Sequence, residues 1–123
     1  MVDKIILWHG GEYMNELLIQ IGNRIYERRK QLRLTQEELA ERADVSTQTV
    51  STAELGKKAL RPENIVKICA ALEISTDYLL LGKVTETDHS LLSGKVSKLN
   101  SGQYHYLEDI INSYLAAIQG KKT

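Results

Sequence analysis

Apolar residues recur along this chain at helical spacing. Between positions 17 and 32, Leu18, Ile21, Ile25 and Leu32 follow one another at steps of three, four and seven, with charged residues between them. That spacing predicts an amphipathic first helix. Thr35-Gln36-Glu37-Glu38 has the pattern of a capping box: the Thr35 hydroxyl takes the amide of Glu38 and the Glu38 carboxylate takes the amide of Thr35. A second helix is expected from there, with Leu39, Ala40 and Ala43 facing inward. Asp44-Val45-Ser46 then breaks the period, since Asp tolerates the left-handed region and Ser is a strong N-cap. A third helix over about 47–55 has only Val50 and Ala53 to offer a core, the rest being mostly Ser, Thr and Gln, and Gly56 suits its C-terminal cap.

Pro62 fits the first turn of a fourth helix, where its missing amide has no intrahelical partner, and Ile65, Ile68, Cys69 and Leu72 follow in helical register. Ser75 caps a short fifth helix with Tyr78, Leu79 and Leu81, closed by Gly82. Positions 83–88 are polar and predict a connector. Leu91, Leu92, Val96 and Leu99 suggest a sixth helix, Asn100-Ser101-Gly102 a turn, and 103–119 a last helix. On that helix Tyr104, Leu107, Ile111, Tyr114 and Ile118 share one face, widened by Ile110 and Leu115. No alternation of period two and no internal repeat occurs. The expected fold is all-α: a leader over 1–14, a five-helix domain over 15–83 and a helical extension over 84–123.

At 123 residues with 42% hydrophobic and 26% charged positions, the composition is that of a soluble globular protein with one ordinary core and an appendage. There is no run of 18 apolar residues, and the start MVDKIILWHGGEY is too short in apolar residues and too charged for a signal peptide. A cytoplasmic location with no membrane partner is expected. Cys69, the single cysteine, excludes a disulfide within the chain and is expected to be an inert core thiol. His9, His89 and His105 share no ligand spacing, so neither a metal nor another cofactor is expected.

Sixteen Lys and Arg balance sixteen Asp and Glu, yet their distribution is uneven. Arg24, Arg28, Arg29, Lys30 and Arg33 form one basic cluster, and Lys57, Lys58, Arg61 and Lys67 another. Two short helices joined by a three-residue turn make a rigid corner, and the second is too polar to pack on both sides. Such a helix can enter the major groove of DNA, about 12 Å wide, and reach base edges.

The string QEELAERADVSTQTVSTAELG, with flanking segments from Ile21 to Gly82, resembles the phage-repressor and Cro-type (XRE) helix-turn-helix family over about half the chain. The resemblance implies a lambda-repressor-like DNA-binding domain that regulates transcription, and double-stranded DNA as the partner. By position it implies base reading by Thr47, Gln48, Ser51 and Thr52, with Gln48 able to pair bidentately with adenine. It implies a phosphate contact from Gln36 at the start of helix two, while Lys57, Lys58 and Arg61 are placed to neutralise further phosphates and Arg24 and Arg28 are weaker candidates. Arg29 and Glu54 match a family salt bridge between helices one and three. Asp44 stands where the family commonly has glycine, and Ala53 and Leu55 depart from a larger core residue and a polar backbone-contacting residue.

The face of Leu107, Ile111, Tyr114, Leu115 and Ile118 exceeds what a five-helix domain with its own core can cover, so it is expected to form a homodimer interface. A dimer reads two half-sites one helical turn apart. The expected activity is therefore that of a dimeric repressor on a palindromic operator; the alternative is an antitoxin whose C-terminal helices bind a toxin. In HGGEYM, the Gly10-Gly11-Glu12 codons ahead of a start at Met14 are compatible with a translated ribosome-binding site, making 1–13 an expected leader. No nucleophile with its base, phosphate-cradling glycine loop or carboxylate pair points to an enzyme.

Overall fold

The structure, a computed structural model, describes residues 11–120, with side chains from residue 15 onward. Seven helices occur among them: α1 (Gly11–Gln31), α2 (Gln36–Ala43), α3 (Thr47–Glu54), α4 (Pro62–Leu72), α5 (Thr76–Leu81), α6 (Glu86–Val96) and α7 (Ser101–Ile118). No strand is found among the described residues. Helix α1 starts upstream of the expected position 17, because Met14, Glu16, Leu17 and Leu18 all favour helix and no Pro or β-branched run intervenes. The expected leader falls partly on residues 1–10, which lie outside the described residues; Gly11 to Met14 are helical.

Local chemistry fixes the ends of the helices. Glu38 N donates to Thr35 Oγ1 at 3.0 Å and Thr35 N to Glu38 Oε1 at 2.9 Å, closing the capping box of α2. Ser46 Oγ accepts from Thr49 N at 3.0 Å at the head of α3, and Ser75 Oγ from Tyr78 N at 3.0 Å at the head of α5. At the end of α3, Gly56 N reaches Ala53 O and Lys57 N reaches Thr52 O, a Schellman closure with Gly56 at φ +70°. Asp44 takes φ 58° between α2 and α3, which explains why glycine suits that turn.

The described residues divide into two compact units after Asp88. In the first, α1 packs on α3, α4 and α5, and α2 on α3 and α4. Ile21, Ile25, Leu39, Ala40, Ala43, Val50, Ala53, Ile68, Cys69, Leu72 and Leu79 are buried together. Leu34 and Ile74, in the links between helices, complete this core. Leu81 is 56% exposed, because α5 is a six-residue helix whose buried position is Leu79. The Cys69 thiol is buried 3.7 Å from Ser75 O, and burial, with Asp88 nearby, pushes its pKa up to about 11.

The second unit contains α7 and most of α6. Helix α6 begins at Glu86, inside the segment expected to be a connector. The reason is Asp88: its carboxylate accepts from Thr85 N at 2.9 Å and Thr85 Oγ1 at 3.0 Å, and also from Ser75 N at 2.8 Å and Ser75 Oγ at 2.6 Å. One side chain thus caps α6 and ties Thr85 to the α4–α5 link. Burial acts to raise the Asp88 pKa, but these hydrogen bonds outweigh it and hold the group down at about 2. Asn100 caps α7 in a capping box with Gln103. Neither α6 nor α7 contains a buried residue.

Candidate nucleic-acid interface

Helix α3 is divided lengthwise. Val50 and Ala53 are fully or nearly buried against α1 and α2, while Thr47 and Gln48 are exposed and Ser51 and Thr52 half-buried. With 100° per residue, Thr47, Ser51, Gln48 and Thr52 fall on one outward arc. Gln48 Nε2 donates to Thr52 Oγ1 at 3.1 Å, which presets the amide on that face.

Two devices hold the helix there. The first is close approach: Gly22 on α1 leaves no room for a side chain, since a Cβ would stand 2.6 Å from Glu54 O and closer still to Ala53 O. The second is a buried ion pair. Arg29 Nε donates to Glu54 Oε2 at 2.6 Å and Arg29 Nη2 to Glu54 Oε1 at 3.0 Å, with the two side chains 9% and 5% exposed. Arg29 Nη1 donates to Leu34 O at 2.8 Å, and Gln36 Nε2 to Glu54 Oε1 at 2.9 Å. The Glu54 hydrogen bond raises the Arg29 pKa against the opposing effect of burial. Glu54 thus joins α1, α2 and α3 through one carboxylate, and both charges are satisfied, as burial requires.

A shallow cavity of about 200 Å³ runs beside α3, lined among others by Gln48, Thr52, Lys58, Arg61 and Asn64. Base-reading and phosphate candidates therefore meet along one groove, and Asn64 joins them although its sequence context gave no sign of it. Lys57 and Lys58 are exposed in the link after α3, and Arg61 makes only a 4.0 Å ion pair with Glu63 in solvent. Lys67 is turned to Asp44, at 3.7 Å from its carboxylate and 3.4 Å from its carbonyl.

The α1 cluster does something else. Arg24 Nη1 donates to Leu79 O at 2.9 Å, and Arg28 Nε to Leu72 O at 2.9 Å. These guanidiniums close the open carbonyls at the ends of α5 and α4, where a helix carries partial negative charge. Arg24 and Arg28, the weaker phosphate candidates, thus have carbonyl partners within the fold.

The chain matches the family profile described as Helix-turn-helix over residues 25–79. Residues 25–79 are an XRE-type helix-turn-helix domain. Over 68 residues the chain is 35% identical to Repressor protein C2 of Salmonella phage P22, a match that covers 55% of this chain and 32% of the phage protein. The chain thus spans about a third of the length of that curated relative. A solved structure, the restriction-modification controller protein C.AhdI from Aeromonas hydrophila, is 32% identical, with a TM-score of 0.49 over 50% of this chain and 94% of that one. The family of the helix-turn-helix domain is one of DNA-binding regulators. Among the described residues no helix is long and apolar enough to cross a membrane, and no His, Cys, Asp or Glu group is placed to hold a metal.

Proposed function

We propose that this chain is a sequence-specific transcription regulator, a homodimeric repressor that binds a palindromic operator through α3. The observation that carries the reading is the outward arc of Thr47, Gln48, Ser51 and Thr52 on a helix immobilised by Gly22 and by the Arg29–Glu54–Gln36 network. The amide of Gln48 supplies the donor and acceptor that adenine N7 and N6 require. Lys57, Lys58 and Arg61 flank the arc and neutralise phosphates without reading sequence. Gln36 reaches the backbone from the head of α2 while its amide also braces Glu54. The repressor name of the phage relative supports the direction of regulation. The face of half-buried Leu107 with exposed Ile111, Tyr114, Leu115 and Ile118 on α7 supports dimerisation, since an apolar face of that size on a helix with no buried residue calls for a partner.

Selection from randomised duplexes, followed by titration at several salt concentrations, tests this. Gln48→Ala is expected to lose preference at one base position per half-site, by about 1–3 kcal/mol, and Lys57→Ala to weaken all sequences alike and lower the salt slope by about one. Absence of any selected sequence, or an equal loss on every duplex from Gln48→Ala, defeats the proposal. Sedimentation of the full chain reports the dimer; a monomer that assembles only with a second, co-purifying protein points to the antitoxin alternative.

A further inference from the structure

Along α7, Tyr104, Leu107, Ile111, Tyr114 and Ile118 are separated by three, four, three and four residues. That is the 3.5-residue period of a coiled-coil seam, with Tyr104, Ile111 and Ile118 at its a positions and Leu107 and Tyr114 at its d positions. None of the five is buried, and Ile111, Tyr114 and Ile118 are 47%, 66% and 61% exposed. We propose that α7 pairs with α7 of a second copy of this chain as a parallel two-stranded coiled coil. The proposal rests on the homodimer reading above and gives that dimer its orientation.

The seam is complementary to itself in the parallel sense. Parallel strands set each g position against the e position of the following heptad on the other strand. Here that sets Ile110 against Leu115 and Gln103 against Glu108 of the second copy, apolar with apolar and amide with carboxylate. Gln103 spends its carbonyl oxygen on Asn100 N, at 3.0 Å, which leaves its amide hydrogens to donate to Glu108. An antiparallel pair centred on Ile111 instead brings Glu108 beside Leu115, a carboxylate pressed on apolar surface with His105 Nδ1 of its own helix, at 3.4 Å, as its neighbouring donor. β-Branched residues at a with leucine at d favour two parallel strands, and Ile111, Ile118 and Leu107 hold those places. In a parallel pair both chains enter α7 at Asn100, at the same end of the coil.

Single cysteines in the full chain decide the orientation. The parent protein is the control: Cys69 is buried and its thiol is held protonated, so it does not cross-link. Ile111→Cys faces itself in either orientation. Ile118→Cys faces itself only in a parallel pair, whereas a Tyr104→Cys chain co-expressed with an Ile118→Cys chain joins across the pair only in an antiparallel one. With copper–phenanthroline as oxidant, Ile111→Cys and Ile118→Cys are each expected to give covalent dimer at least fivefold faster than the mixed pair. Rapid joining of the mixed pair without joining of Ile118→Cys overturns the parallel coil and leaves the dimer standing. A sedimenting dimer that none of the variants captures also overturns the coil, by placing the interface elsewhere. A sedimenting monomer removes the dimer and the coil together.

Discussion

Replacing Gly22 by alanine adds one methyl group at the closest approach of α1 to α3. The new Cβ would stand 2.6 Å from Glu54 O, with Ala53 O closer, and both atoms belong to backbone that cannot rotate away. Ordinary carbon contacts begin near 3.5 Å, so α3 has to retreat by roughly 1 Å. Overpacking of this kind costs about 1–3 kcal/mol, while Gly→Ala inside a helix returns about 0.5–1 kcal/mol. The net expectation is a loss of about 1–2 kcal/mol, seen as a fall in melting temperature of roughly 4–16 °C for a domain of this size. The displacement also shifts the Gln48 arc, so binding to the selected operator is expected to drop at least tenfold while binding to random DNA, which depends on charge, stays within about twofold. Gly94→Ala on α6 is the control, since nothing lies within 4 Å of its added Cβ, and it should gain a fraction of a kcal/mol. Circular dichroism melting and parallel titrations measure both effects. A Gly22→Ala protein that melts at or above the parent and binds its operator unchanged refutes the close approach as the device that seats α3.

Glu54→Ala strands a buried guanidinium and the Gln36 amide, and a loss of about 3–5 kcal/mol is expected in urea unfolding; a change below about 1 kcal/mol would mean the pair is solvated. Because hydrogen bonds hold the Asp88 pKa at about 2, below its unfolded value near 3.9, the ionised form favours the fold. That contribution is complete above about pH 4 and fades as the pH falls towards 2. It is worth on the order of 1 kcal/mol after solvent screening, and Asp88→Asn should flatten the acid limb of a stability–pH curve. Cys69 should resist a thiol reagent at pH 8 in the folded protein and react on unfolding, since burial raises its pKa to about 11; prompt reaction in native buffer would contradict its place in the core.

The features legible in the sequence were those written in neighbouring residues. The Thr35–Glu38 box, the Ser46 and Ser75 caps, the Gly56 closure and the α-helical stripes through Ile25 and Ile68 all depend on partners within one or two turns, so spacing alone places them. Positions set by distant partners were not legible. Gly22 has its reason 31 and 32 residues away, in the carbonyls of Ala53 and Glu54. Arg24 and Arg28 have the composition of a nucleic-acid contact, and only the tertiary fold reveals that the ends of α5 and α4 take them. Thr85 and Asp88 did carry a signal, the [ST]-x-x-[DE] spacing of a helix start, which the polarity of 83–88 obscured. Leu34 and Ile74 lie between helices, where periodicity has nothing to say.

The division of labour along α3 has a consequence for how such a protein diversifies. Its seat is made by Gly22, Arg29, Gln36, Glu54, Val50 and Ala53, none of which is on the outward arc. Thr47, Gln48 and Ser51 contribute almost nothing to that seat. Exchanging them is therefore expected to redirect the chain to a new target with little change in resistance to heat, so that target choice and durability vary as independent traits.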